Sequence, residues 1–180
     1  MIETNAGSHF VAALGPHQPQ WCVTEGENHG LDVWDLTRSE CVRHLSGHTD
    51  RVYCATALGP DCCVSGSRDT TLKIWCYATG ECIDTLRGHT KSILSVAALP
   101  SDQCVSASED STLRVWCTLS GQSVHTLRGH HRAVYCVSAL PGRRCVSTGR
   151  WDGMIRVWCT VAGECLRAIA GSFRMFMWLV

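Results

Sequence analysis

The stretch Gly88–Trp116, GHTKSILSVAALPSDQCVSASEDSTLRVW, sets the order of the whole chain. Its opening pair occurs three times, at Gly47-His48, Gly88-His89 and Gly129-His130, 41 residues apart each time. Each pair is followed by Cys-Val-Ser (from Cys63, Cys104 and Cys145), then by an acidic turn residue (Asp69, Asp110, Asp152). Each unit closes on an apolar-Trp pair: Ile74-Trp75, Val115-Trp116 and Val157-Trp158. A fixed period of this length marks a repeat architecture, in which each unit is one small piece of supersecondary structure that buries its apolar face against its neighbours.

The pattern inside a unit is that of strands and tight turns. Residues 51–58 read as a strand ended by Gly59-Pro60-Asp61, and 62–67 as a second, followed by the polar turn Arg68-Asp69-Thr70. Residues 71–76 alternate polar and apolar side chains, Ala78-Thr79-Gly80 turns the chain, and 81–86 form a fourth strand. No stretch shows a helical period. The last clear unit carries one extra residue in the turn 148–152, so Trp158 follows His130 by 28 residues where the earlier units have 27. An N-terminal unit keeps Cys22-Val23-Thr24 and Trp34-Asp35 in register but has Asn28 at the turn aspartate position. The expected organisation is a degraded first repeat over 1–46, repeats over 47–87, 88–128 and 129–170, and an irregular tail over 171–180.

On these residues the chain resembles the WD-repeat family over roughly 7–170. The resemblance implies an all-β chain, a β-propeller of WD-type four-stranded antiparallel blades, with about four blades present. Seven is the usual number in the family, so the propeller would be incomplete or completed by association. The resemblance also implies a hydrogen-bonded chain of His, Ser, Asp and Trp within each blade. These are His48, Ser65, Asp69 and Trp75, then His89, Ser106, Asp110 and Trp116, then His130, Ser147, Asp152 and Trp158. The physical need is plain without the family: an indole N–H buried in a sheet requires an acceptor, and a buried network is favourable only when every member is satisfied. Cys76, Cys117 and Cys159 stand after the Trp where the family usually has Asp.

Ser, His and Asp together suggest a hydrolase. Three copies at one period are structural repetition, and no G-x-S-x-G elbow surrounds the serines; the chain reads as a non-enzyme. Sixteen basic and sixteen acidic residues cancel, leaving no electrostatic footprint for nucleic acid or an anionic membrane. The start has no signal-peptide pattern, and no apolar run reaches the length of a membrane span. A cytoplasmic or nuclear location is expected. Of thirteen cysteines, twelve fall at equivalent repeat positions, a blade apart, and no C-x2-C pair exists. They read as small apolar residues of packed strands, with no metal and no cofactor expected; a cysteine-based redox or metal protein is the rival reading.

The resemblance places binding on the loops at the top face of the propeller. There the chain offers Arg51, Tyr53, Arg68, Lys91, Arg132, Tyr135, Arg150 and Trp151, several of them types enriched at interface hot spots. The expected function is a non-catalytic scaffold for protein or peptide partners. An alternative from the same resemblance is the substrate-recognition part of an F-box type ubiquitin ligase that reads a phosphopeptide. In that reading Arg68 and Arg150 match one arginine position, while Tyr53, Leu94 and Tyr135 occupy the other. Two chains joining as a homo-dimer would complete a ring, because an open array exposes an edge at each end. A truncated, non-functional fragment is the remaining alternative.

Overall fold

The computed structural model describes residues 10–14, 20–149 and 151–171. Arg150, the N-terminal residues 1–9 with His9, and residues 172–180 of the expected tail lie outside them.

The described chain folds into four antiparallel sheets of four strands, each a simple meander in chain order. The first contains β1 (Val11–Ala13), β2 (Trp21–Glu25), β3 (Leu31–Asp35) and β4 (Glu40–Leu45). The second contains β5 (Val52–Ala57), β6 (Cys62–Ser67), β7 (Leu72–Cys76) and β8 (Glu81–Leu86). The third runs β9 (Ile93–Leu99), β10 (Gln103–Ser108), β11 (Leu113–Cys117) and β12 (Ser123–Leu127). The fourth runs β13 (Val134–Leu140), β14 (Arg144–Gly149), β15 (Met154–Cys159) and β16 (Glu164–Ala170). The single helical element among the described residues is a 3-10 turn at Glu27–His29. Neighbouring sheets touch through their first strands, β1 with β5, β5 with β9 and β9 with β13.

The core is one interface built three times. Val23, Leu31, Val33 and Leu45 of the first sheet pack on Val52, Cys63 and Trp75 of the second. Val64, Leu72, Ile74 and Leu86 then pack on Ile93, Val96, Cys104 and Trp116. Val105, Leu113, Val115 and Leu127 pack on Val134, Val137, Cys145 and Trp158. The apolar half comes from strands two to four of one sheet, and the Cys-Trp half from the next. Fully burying one such aliphatic side chain is worth about 1.5–3 kcal/mol, so each interface outweighs any single hydrogen bond in it. The cysteines at the second-strand position are therefore packing residues, and burial pushes the thiols of Cys63, Cys104 and Cys145 up to about 12. All thirteen cysteines are free thiols.

Among the described residues, the fourth sheet presents the apolar half of this interface with no sheet against it. Val146, Ile155 and Val157 are only half-buried and Ile169 is 44% exposed, where Leu45, Leu86 and Leu127 at the last position are buried. The first sheet presents the other half. Val11 is 70% exposed where its counterparts Val96 and Val137 are buried, and Trp34 is half-buried where Trp75, Trp116 and Trp158 are closed off.

Candidate protein-interaction surface and the buried chains beneath it

In the second sheet the Gly-His loop, the start of β5 and the turn between β6 and β7 meet at one end. Nδ1 of His48 donates to Oδ2 of Asp69 at 2.7 Å, and Nε2 lies 2.8 Å from Oγ of Ser65. Trp75 Nε1 donates to the same hydroxyl at 2.8 Å. The carboxylate can only accept, so Nδ1 carries the proton; Nε2 must then accept, and Ser65 donates to it while accepting from the indole. Every proton has one place to go. The third sheet repeats this with His89–Asp110 at 2.7 Å, His89–Ser106 at 2.8 Å and Trp116–Ser106 at 2.9 Å. The fourth does so with His130–Asp152 at 2.5 Å, His130–Ser147 at 2.8 Å and Trp158–Ser147 at 2.8 Å.

The Ser-His-Asp contacts have the order of a hydrolytic triad, but Ser65 and Ser106 are fully buried and each already holds an indole N–H. A nucleophile needs a free face towards its substrate, and these hydroxyls have none.

Hydroxyls that the sequence reading did not single out complete the turns. Thr71 Oγ1 donates to Oδ1 of Asp69 at 2.7 Å, and Thr112 does the same to Asp110 at 2.6 Å. Ser67 and Ser108 donate to the backbone carbonyls of Asp50 and Lys91 and accept from the amides of Asp69 and Asp110. The Ser-x-Asp-x-Thr spacing was the available signal. Burial alone would raise the Asp69 and Asp110 carboxyls; the bonds from His48 and Thr71, and from His89 and Thr112, outweigh it and hold both far below the usual carboxylate range. In the fourth sheet Gly149 and Met154 replace the Ser and Thr, and Asp152 is lowered through His130 and the Met154 amide against the same burial.

Of the interaction residues expected from the sequence, those described (Arg51, Tyr53, Arg68, Lys91, Arg132, Tyr135 and Trp151) lie on or beside the first strands and the turns at this end of the sheets. Arg68 N donates to the Arg51 carbonyl at 2.8 Å, which ties the turn to the first strand, and Glu109 N donates to Ser92 in the same way at 3.0 Å. Arg51 Nε bridges to Glu25 of the preceding sheet at 3.1 Å, and exposed Arg68 pairs with Asp50 at 3.7 Å. Lys91 and Arg132 are exposed, and Trp151 is 71% exposed. Tyr53, Leu94 and Tyr135 have a property in common that spacing alone did not reveal. Each is the extra residue of a β-bulge: Val52 and Cys54 pair with consecutive residues of β6, Ile93 and Ser95 with consecutive residues of β10, and Val134 and Cys136 with consecutive residues of β14. A bulge re-aims its side chain out of the strand's alternation, and here it does so on the innermost strand beside the turn.

The opposite turn explains the cysteines after the Trp. In the first sheet Asp35 Oδ1 accepts the amides of Thr37 and Arg38 at 2.9 and 3.2 Å, an Asx turn. Cys159 Sγ accepts the Ala162 amide at 3.4 Å in the same role. The thiols of Cys76 and Cys117 are held below the ordinary thiol value, chiefly by the side-chain hydroxyls of Thr79 and Ser120 and then by turn amides. The hydroxyl three residues after each of these cysteines is the sequence signal of that setting.

Known structures share this architecture. The chain is similar to the solved structure of U3-55K, with a TM-score of 0.84 and 22% identity over 95% of this chain and 54% of that one. It is also similar to the WD40 β-propeller domain of Doa1, with a TM-score of 0.75 and 24% identity over 85% of this chain and 51% of that one. The chain thus spans about half the length of both. No curated protein matches the sequence. The profile of the WD domain, G-beta repeat, matches three segments, 39–76, 80–117 and 121–159, which together make up most of the chain. Each segment begins one or two residues before the last strand of one sheet and ends on the third strand of the next, the interlocked unit described above, and the chain belongs to the WD40 family.

Proposed function

We propose that the chain is a protein-interaction module that takes an acidic segment of a partner across the turn end of its sheets. The observation that carries this reading is Trp151, 71% exposed in the turn between β14 and β15, the one turn with an extra residue. A large exposed aromatic supplies contact area at low entropic cost, and Arg68, Lys91 and Arg132 surround the same end with cationic groups. Below it, the buried His-Ser-Asp-Trp chains fix the turn backbone, so the surface is preorganised. The test is selection of peptides from a random library against the full chain, followed by affinity measurements. Acidic peptides are expected, weakened about tenfold or more by Trp151→Ala and weakened further by salt. Selected peptides indifferent to Trp151→Ala and to Arg132→Glu overturn the reading.

A second reading is supported by the two flanks. Val146, Ile155, Val157 and Ile169 at one end, and Val11, Cys22 and Trp34 at the other, are the two halves of an interface that the chain already makes three times. The occupant that fits each flank is therefore the opposite flank of a second copy, and two such contacts close a ring of two chains rather than an open fibre. Light scattering on the purified chain is expected to give twice the chain mass, reduced to the monomer by Ile169→Glu and by Val146→Glu. A monomeric wild-type chain, or a dimer indifferent to both substitutions, overturns it.

A further inference from the structure

The outer strands of the first sheet carry a cluster that no other sheet has among the described residues. Asp32 of β3 is the cross-strand partner of His44 of β4, and Nδ1 of His44 donates to Oδ1 of Asp32 at 2.7 Å. Cys41 Sγ lies 3.8 Å from Nδ1 and 3.9 Å from Nε2 of the same imidazole. One donor atom from each of the three residues falls within 4.8 Å of the other two.

The backbone explains why they meet. Residues three apart on a regular strand point to opposite faces. In β4 the register shifts between Val33 and Trp34: Val33 pairs with Arg43 but Trp34 pairs with Cys41, leaving Val42 as the extra residue. That bulge turns Cys41 onto the face of His44, beside Asp32.

The other sheets serve as internal controls, because each has the same bulge at the same place. At the three positions the second sheet has Lys73, Cys82 and Thr85, with Lys73 Nζ donating to Thr85 at 2.9 Å and lying 4.0 Å from Cys82 Sγ. The third has Arg114, Ser123 and Thr126, with Arg114 donating to Ser123 at 3.2 Å. The fourth has Arg156, Cys165 and Ala168, with Arg156 donating to Cys165 at 3.7 Å. A cation stands over the sulfur or hydroxyl in all three. Only the first sheet replaces that cation with a carboxylate and adds an imidazole, which converts a site that repels a metal ion into one that offers three ligands.

We propose that Asp32, Cys41 and His44 bind a divalent transition-metal ion of the zinc class. Thiolate, imidazole and carboxylate together suit zinc rather than magnesium or calcium, which take oxygen donors. Tetrahedral zinc with ordinary bond lengths sets its donor atoms roughly 3.3–3.6 Å apart. The Cys41–His44 separation is close to that already, and the Asp32–His44 pair opens by about half an ångström once the proton between them leaves. The proton account balances: the Cys41 thiol releases its proton to solvent, the His44 proton moves from Nδ1 to Nε2, and Asp32 enters as carboxylate. Three protein ligands leave a fourth position to water. The site faces an open hollow lined by Glu27, Asn28 and Gly30, and the His44 side chain is 73% exposed, so the ion has a path in.

The test uses the full chain and cobalt(II) chloride as the probe. A thiolate-to-cobalt charge-transfer band is expected at one ion per chain, displaced by zinc but not by magnesium. Cys41→Ser is expected to abolish the band, and His44→Thr and Asp32→Lys, which install the residues of the second sheet, to weaken binding 10–100-fold or more. Cys82→Ser leaves it intact. The converse design Lys73→Asp with Thr85→His is expected to raise the stoichiometry to two. No band, a band that survives Cys41→Ser, or a stoichiometry unmoved by the converse design each overturns the proposal. The positions lie near the surface, and circular dichroism of each variant separates loss of binding from loss of fold.

Discussion

Nδ1 of His130 and Oδ2 of Asp152 stand 2.5 Å apart, against 2.7 Å in the corresponding pairs of the second and third sheets. The acid is nonetheless less well served. Asp69 and Asp110 each accept a threonine hydroxyl at the other oxygen, where Asp152 has the Met154 amide at 3.0 Å. Met154→Thr supplies the missing donor and is expected to raise stability by about 1 kcal/mol in urea unfolding. Asp69→Ala leaves His48 and Thr71 without their acceptor and is expected to cost about 3 kcal/mol.

Acid should unfold the chain in two steps. Burial lowers the His130 imidazole below its ordinary 6.5, more than Asp152 restores it. The unfolded chain therefore binds that proton first, and stability complete above about pH 6.5 declines as pH falls below it. Asp69 and Asp110, depressed from an ordinary 3.8, contribute stability that is complete above that value and is lost on further acidification. Urea midpoints from about pH 8 to about pH 3 should show both limbs, and His130→Asn should flatten the upper one.

Gly66 and Ile93 form a matched pair across the second interface. A Cβ at Gly66 would lie 2.6 Å from Ile93 Cγ2 and 2.8 Å from Cys54 Sγ. The next interface has Ala107 and Val134 at the same positions, one methyl more on one side and one fewer on the other. Gly66→Ala is expected to destabilise by about 1–3 kcal/mol, and by clearly less in a chain that already carries Ile93→Ala, which removes Cγ2. Additive losses in the double-mutant cycle would disprove the pairing.

Cys76 occupies the place that Asp35 fills with an Asx turn. Cys76→Asp offers the turn amides a stronger acceptor and is expected to raise the thermal midpoint by on the order of 1–2 °C. An unchanged or lower midpoint would show that the thiol is the better fit.

Much of this was legible in the spacing of Gly-His, Ser, Asp and Trp, because residues that repeat at one period must perform one task in each sheet. The bulges were not legible. They arise where the twist of a sheet is corrected, leave no composition signal, and decide which side chains meet. Tyr53, Leu94 and Tyr135 share their position through one set of bulges, and Cys41 reaches His44 through another. Residues three apart on a strand look unrelated until the extra residue between them is seen. The cysteines show the same limit: equivalent positions implied packing, correctly for Cys63, Cys104 and Cys145, but Cys76 and Cys117 end β7 and β11 and serve as acceptors for the turns that follow.

Strand β16 pairs with β15 along one edge, and all seven of its residues are exposed. In a linear stack each sheet is held by its own ladder and by the faces of its neighbours, so the central sheets are held twice and the last one once. Amide exchange in deuterated solvent, measured on the monomer held open by Ile169→Glu, should therefore be graded along the chain. The backbone of β16 would exchange first, then the rest of the fourth sheet, while Val64 and Val105 at the centre would exchange only when the whole array opens.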